Sequence, residues 1–178
     1  MFARCETVEA QPFEAKRPDD EVESRDSYPR GVSHELWSAY LATVIEVSLP
    51  DGSRRVIEQV REQAPQEWPF TEQVAWILTA CNPRSIALAP EVNAERHEQM
   101  GRQIADLGLI ACPNVGYDPA NPNWSETGYT IVGDDEATVC ELARGWEQNA
   151  VFRWAPAEFE LVGVLLPGRD VHGWRWAT

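Results

Sequence analysis

Apolar and polar residues alternate through Leu41, Thr43, Ile45, Val47 and Leu49, a period of two that predicts a strand, and the turn residues Pro50, Asp51 and Gly52 end it. The stretch 53 to 63 fits a strand and a helix alike. Residues 74 to 81, VAWILTAC, form an apolar run of strand length that Asn82 and Pro83 stop. Pro90 suits the first turn of a helix, and Met100, Ile104 and Leu107 carry an apolar stripe to Gly108. Strands are predicted at 109 to 116 and 128 to 133, separated by an 11-residue loop with Pro119, Pro122 and Trp124. A second helix is predicted from Asp134 and Asp135, burying Val139, Leu142, Ala143 and Trp146, with strands following at 150 to 154 and 158 to 166.

From residue 74 the first six elements run strand, helix, strand, strand, helix, strand. That order predicts an α+β, ferredoxin-like (split βαβ) antiparallel sheet with two main helices on one face and extra strands at both ends. Residues 34 to 178 are expected to form one domain. Residues 1 to 33 mix Asp, Glu, Arg, Pro and Ser with few apolar positions, a composition expected to stay disordered as a tail. Near the other terminus Trp174 and Trp176 flank Arg175. They are expected to pack back on the domain, a homo-oligomer contact being the alternative.

The first helix carries the chemistry. At 100° per residue Asn93, Arg96 and His97 fall on the stripe of Met100 and Ile104, so a core-facing surface turns polar in its first turns. Buried polar groups need partners, which are either protein groups or a ligand. Helix N-termini attract anions, and Arg84 and Arg96 add charged donors nearby. In the expected sheet, Asn82, Arg84, Ser85, Asn93, Arg96, Gln148 and Asn149 converge on one edge as a ligand-binding set. The same sheet puts Trp124 and Glu126 at the opposite edge, about 17–20 Å away, where they form a second site unless their loop folds back onto the first.

Charge narrows the partners. Acidic residues outnumber basic ones 29 to 15, a formal net charge of −14 that repels phosphate backbones and anionic lipid. The stacking aromatics of ferredoxin-like RNA binders are also missing, so nucleic acid is not an expected partner. No apolar run is long enough to span a bilayer and the N-terminus has no apolar centre of a signal peptide, which predicts a cytoplasmic protein with no membrane partner. Cys5, Cys81, Cys112 and Cys140 are far apart and no His or carboxylate pair has ligand spacing, so free thiols, no metal and no cofactor are expected. Ser85 has no GxSxG elbow before it and only His97 as a helical neighbour.

TACNPRS at 79 to 85, Asn93 and Arg96, Gly116, WSE at 124 to 126 and QNAVF at 148 to 152 resemble, in that order, the bacterial domain-of-unknown-function family 3293. The resemblance spans roughly residues 37 to 155. Cys81 departs from a position where an aromatic or other residue is frequent, and Gly128 with Tyr129 replaces a usual Ser-Phe, so a hydroxyl role at 128 is not expected here. The family brings no reaction. The residues themselves support a small anionic or nucleotide-like ligand at the Asn82 to Arg96 edge. Two alternatives remain open: a protein-interaction module, and an enzyme using Glu126 or Ser85.

Overall fold

The computed structural model describes residues 34–63 and 66–177; the segment expected as a disordered tail, 1–33, lies outside them. Its elements are α1 (His34–Ala42), β1 (Val44–Ser48), β2 (Arg54–Val60), β3 (Ala75–Thr79), α2 (Pro90–Asp106), β4 (Ile110–Asp118), β5 (Asn121–Val132), α3 (Glu136–Gly145), β6 (Ala150–Ala155), β7 (Glu158–Gly163) and β8 (Arg169–Trp176). Among the described residues the strands close into an antiparallel barrel in the order β1-β2-β8-β7-β6-β3-β5-β4.

The ferredoxin-like α+β expectation is therefore corrected: the sheet is an eight-stranded barrel without edges. The physical reason lies at two strand edges. An open sheet would end at β4 and β6, but β4 pairs with β1 through Val44 to Val47, and β6 pairs with β7 along its whole length. β8 and β2 then bridge the gap, matching Trp176 with Ile57 and Val60 with Gly173. Closure pairs every strand edge that an open sheet would leave as an aggregation-prone row of free N–H and C=O groups.

Three further expectations change. The segment read as a strand from Leu41 begins as helix α1, whose Trp37 and Leu41, one turn apart, reach the core. The 11-residue loop is instead strand: β4 and β5 run on to a tight turn around Pro119 and Ala120. The C-terminal tryptophans do pack inward, but as part of β8. Cys81, Cys112 and Cys140 are free thiols; Cys5 lies outside the described residues.

β3 explains how helices and barrel share one sheet. Ala75 and Ile77 point into the barrel while Trp76 and Leu78 point out beneath α2 and α3, so the strand is apolar on both faces. α2 covers it with Met100 and Ile104, and α3 with Val139, Leu142 and Ala143. The side chain of Asp135 caps α3 by accepting from the Thr138 amide at 2.9 Å. Leu107, expected on the buried stripe, is exposed at the C-cap of α2. On the far side, the outward faces of β1, β2 and β8 carry Glu46 with Arg54 and Glu58 with Arg175 as ion pairs. No helix among the described residues is long and apolar enough to cross a membrane.

The interior tapers. Opposite Ile77 on β3 stands Phe152 of β6, and opposite Ala75 stands Trp154, where Trp68, Phe70, Trp174 and Trp176 pack edge-on around the Trp154 ring. Two residues the other way, the same strands contribute only Thr79 and Ala150. One end is thus plugged by indoles and the other left roomy.

Gly128 of β5 marks where the wall is tightest. A Cβ there would sit 2.4 Å from the Leu78 carbonyl oxygen and 2.7 Å from Asn114 Oδ1. Gly128→Ala is expected to destabilise the barrel by about 1–3 kcal/mol, seen as a lower urea midpoint with an unchanged slope. The same crowding excludes a serine hydroxyl from this position.

Candidate functional site

The TACNPRS segment turns sharply out of β3. Asn82, Arg84 and Ser85 all take left-handed backbone conformations, with φ of 45°, 55° and 61°. Only the first is a residue type that visits this region readily, so the turn must be held by its surroundings. Thr79 Oγ1 accepts from the Cys81 amide and donates to the Thr127 carbonyl, anchoring the exit.

Asn82 is the hub. Its Oδ1 accepts from the Leu88 amide at 3.0 Å and from Asn93 Nδ2 at 2.8 Å, its own amide donates to Asn93 Oδ1, and its Nδ2 donates to Glu126 Oε1 at 2.6 Å. The polar start of the α2 stripe is thereby accounted for: Asn93 grips the turn. Arg96 does the same one turn further on, donating from Nε to the Ala80 carbonyl at 2.6 Å and from Nη2 to the Trp146 carbonyl at 2.9 Å, with its guanidinium over the Trp146 ring. Gln148 Nε2 donates to the Cys81 carbonyl. Asn149 Nδ2 donates to Ser85 Oγ, which lies 2.8 Å from the Tyr40 hydroxyl of α1.

Arg96→Ala removes the guanidinium bonds to two part-buried carbonyls, leaving Trp146 only the longer bond from Gln148 Nε2 at 3.4 Å. A loss of about 2–3 kcal/mol in unfolding free energy is expected, with Arg96→Lys recovering only part of it because a single ammonium does not reproduce the guanidinium fork.

These groups border a cavity of about 320 Å³ at the roomy end of the barrel. Its inner wall is Ile45, Ile77, Ala150 and Phe152, its rim includes Asn82, Ser85, Gln148, Trp124 and Glu126, and Leu36, Ala39 and Tyr40 of α1 lie across it. Glu126 and Trp124 were expected at a separate edge. Antiparallel pairing of β3 with β5 sets Thr79 beside Gly128, which brings the start of β5 to the end of β3 and joins the two expected sites into one.

Not every expected residue reaches the cavity. Asn93, Arg96 and Asn149 stand behind the turn as supports, and Arg84 faces outward, paired with Glu147 at 2.9 Å between two exposed side chains. His97 stacks on Tyr129 with centroids 4.5 Å apart, while Ser85 is engaged by Tyr40 and Asn149. No Ser–His couple is assembled from them. Residues outside the expected set are Tyr40, hidden by the misread α1, and Asn114, Gly116 and Asp118 of β4. The period-two run Cys112, Asn114, Gly116, Asp118 is the signal that could have exposed the latter as one face of a strand.

Electrostatically the cavity is distinctive. Burial pushes the Glu126 carboxyl from an ordinary 4.5 to about 7, the Asn82 hydrogen bond opposing only part of the shift. Burial likewise raises the Tyr40 hydroxyl, its bonds to Ser85 and Asn149 pulling the other way and the nearby Glu126 charge adding to the rise.

Residues 78–151 match the model of a family described as "Protein of unknown function (DUF3293)". This segment is similar to DUF3293. The matched segment runs from β3 into β6 and carries the whole TACNPRS turn, Asn93, Arg96, Glu126 and Gln148, while α1 and β1 lie before it. Neither the curated proteins nor the solved structures contain a significant match to the chain.

Proposed function

We propose that the barrel binds a small, largely apolar molecule in the cavity at its open end, with Glu126 and Asn82 as the polar groups that orient it. The observation that carries this reading is the cavity itself: about 320 Å³, apolar within and rimmed by a few convergent polar side chains. An eight-stranded barrel has room inside for packed side chains or one small ligand, and barrel mouths are habitual ligand sites. The anionic or nucleotide-like ligand expected from Arg84 and Arg96 is not the version the geometry favours. Arg84 is paired with Glu147 and Arg96 with two carbonyls, and the charged residues lining the cavity are Glu126 and Asp118.

The test uses the neutral dye N-phenyl-1-naphthylamine, which brightens in apolar surroundings. Saturable one-to-one binding to the wild type, abolished by Ala150→Trp with the far-UV spectrum unchanged, is the expected result. Absence of saturable binding, or equal binding by Ala150→Trp, would overturn the proposal. A second reading, proton transfer by Glu126, is favoured by a carboxyl poised near neutrality. It predicts base-catalysed opening of 5-nitrobenzisoxazole by the wild type and loss of that turnover in Glu126→Gln; equal rates for the two proteins would dismiss it.

A further inference from the structure

Resting on the small-molecule reading, we infer that the natural ligand carries a protonated amine, seated against Glu126 with its apolar body directed down the barrel. The cavity's charge inventory leads there. Among the described residues its lining holds two carboxylates, Glu126 and Asp118, and no lysine, arginine or histidine. The nearest arginines of the turn and α2 point their donors at Glu147, Ala80 and Trp146.

Among the described residues Glu126 is therefore a carboxyl without a cation. It accepts a single hydrogen bond from protein among the described residues, from the neutral Asn82 amide, whereas a carboxylate accommodates about four. A charge buried without a counter-ion is costly, and the protein lessens that cost by keeping the group protonated near neutrality. An ammonium ligand supplies the missing charge and completes a charge-assisted pair at the half-buried rim. Trp124 lines the same cavity, and indole is the aromatic that holds cations best. The chain's net charge of −14 favours cations over anions as ligands.

Proton linkage gives the reading a pH signature. Among the described residues the titratable groups facing the cavity beside Glu126 are Tyr40 from α1 and Asp118 from β4. Tyr40 stays neutral across the range used, its hydroxyl being raised from an ordinary 10. The amine needs Glu126 ionised, so its affinity rises as pH climbs through about 7, while a neutral ligand gains nothing.

The experiment is displacement of N-phenyl-1-naphthylamine from the full chain by hexylamine, 1-hexanol and hexanoate, which share one apolar body. At about pH 8, hexylamine is expected to displace the dye at a concentration about tenfold lower than hexanol, with hexanoate weakest. The amine advantage should disappear in Glu126→Gln, and should shrink about tenfold in the wild type between about pH 7.5 and pH 5.5. The pH series requires no variant, so it stands even where Glu126→Gln folds poorly. Dye binding with hexanol equal to or better than hexylamine would overturn the amine assignment and leave the cavity reading intact. Failure of the dye to bind at all would overturn both.

Discussion

Trp154→Ala is expected to lower the unfolding free energy by about 3–5 kcal/mol, read from urea denaturation followed by far-UV circular dichroism. The indole is fully buried, and Trp68, Phe70, Trp174 and Trp176 meet it edge-on with centroids 4.9 to 5.5 Å away. Those neighbours are braced by their own bonds, Trp174 Nε1 to the Ala155 carbonyl and Trp176 Nε1 to the Glu67 carbonyl, so they cannot collapse freely into the space vacated. A residual cavity then adds to the lost transfer energy. For a domain with about 5–15 kcal/mol to lose, the variant is left marginal. Trp154→Phe separates volume from chemistry. Trp154 Nε1 has no hydrogen-bond partner among the described residues, so phenylalanine removes an unsatisfied donor along with part of the ring and should cost less than half as much. If alanine and phenylalanine were equally harmful, packing around the plug would not be the cause.

The same plug shows why the fold was only partly legible. Periodicity located β3, α2, α3, β6 and β7, because each buries a face set by its own residues. It was silent on closure, which depends on β1 meeting β4 and β8 meeting β2 across more than sixty residues of chain. The order β6-β3-β5-β4, with α2 and α3 on the outer face, is compatible with an open sheet until the partners of its two edge strands are known. α1 was misread for a local reason: the alternation of Thr43, Ile45 and Val47 happens to extend back to Leu41, whereas Trp37 and Leu41 one helical turn apart carry the competing period.

The candidate site was legible as residue types and illegible as roles. Asn82, Ser85 and Gln148 stand at the cavity, but the arginines that suggested an anion turn out to hold the backbone. A guanidinium in sequence does not reveal whether its donors meet a ligand or a carbonyl. Glu126 was placed far away because strand direction was misjudged, and the group with the most perturbed chemistry was therefore treated as peripheral.

That perturbation carries the second large effect. Glu126→Gln is expected to stabilise the protein at about pH 8 by roughly 2–3 kcal/mol, and to leave stability nearly unchanged below about pH 4.5. The sign follows from proton binding. The folded carboxyl titrates at about 7 against an ordinary 4.5, so between these values the folded state holds a proton that the unfolded state has released. Stability contributed by the group is fully present below 4.5, declines as pH rises, and is lost above 7. The full difference corresponds to roughly 3 kcal/mol, and solvent at the half-buried rim trims it. Glutamine keeps an acceptor for Asn82 Nδ2 without a charge to bury, so its stability should not fall through this window. Urea midpoints of both proteins between pH 4 and pH 8 decide the matter: curves that diverge above about pH 5 are expected, and parallel curves would mean that Glu126 ionises without hindrance in the folded state. A carboxyl that destabilises its own fold at neutral pH has a reason other than folding to be there. Hexylamine added at pH 8 offers the complementary check, because a ligand that binds only the folded, ionised protein should raise the wild-type midpoint and leave Glu126→Gln where it was.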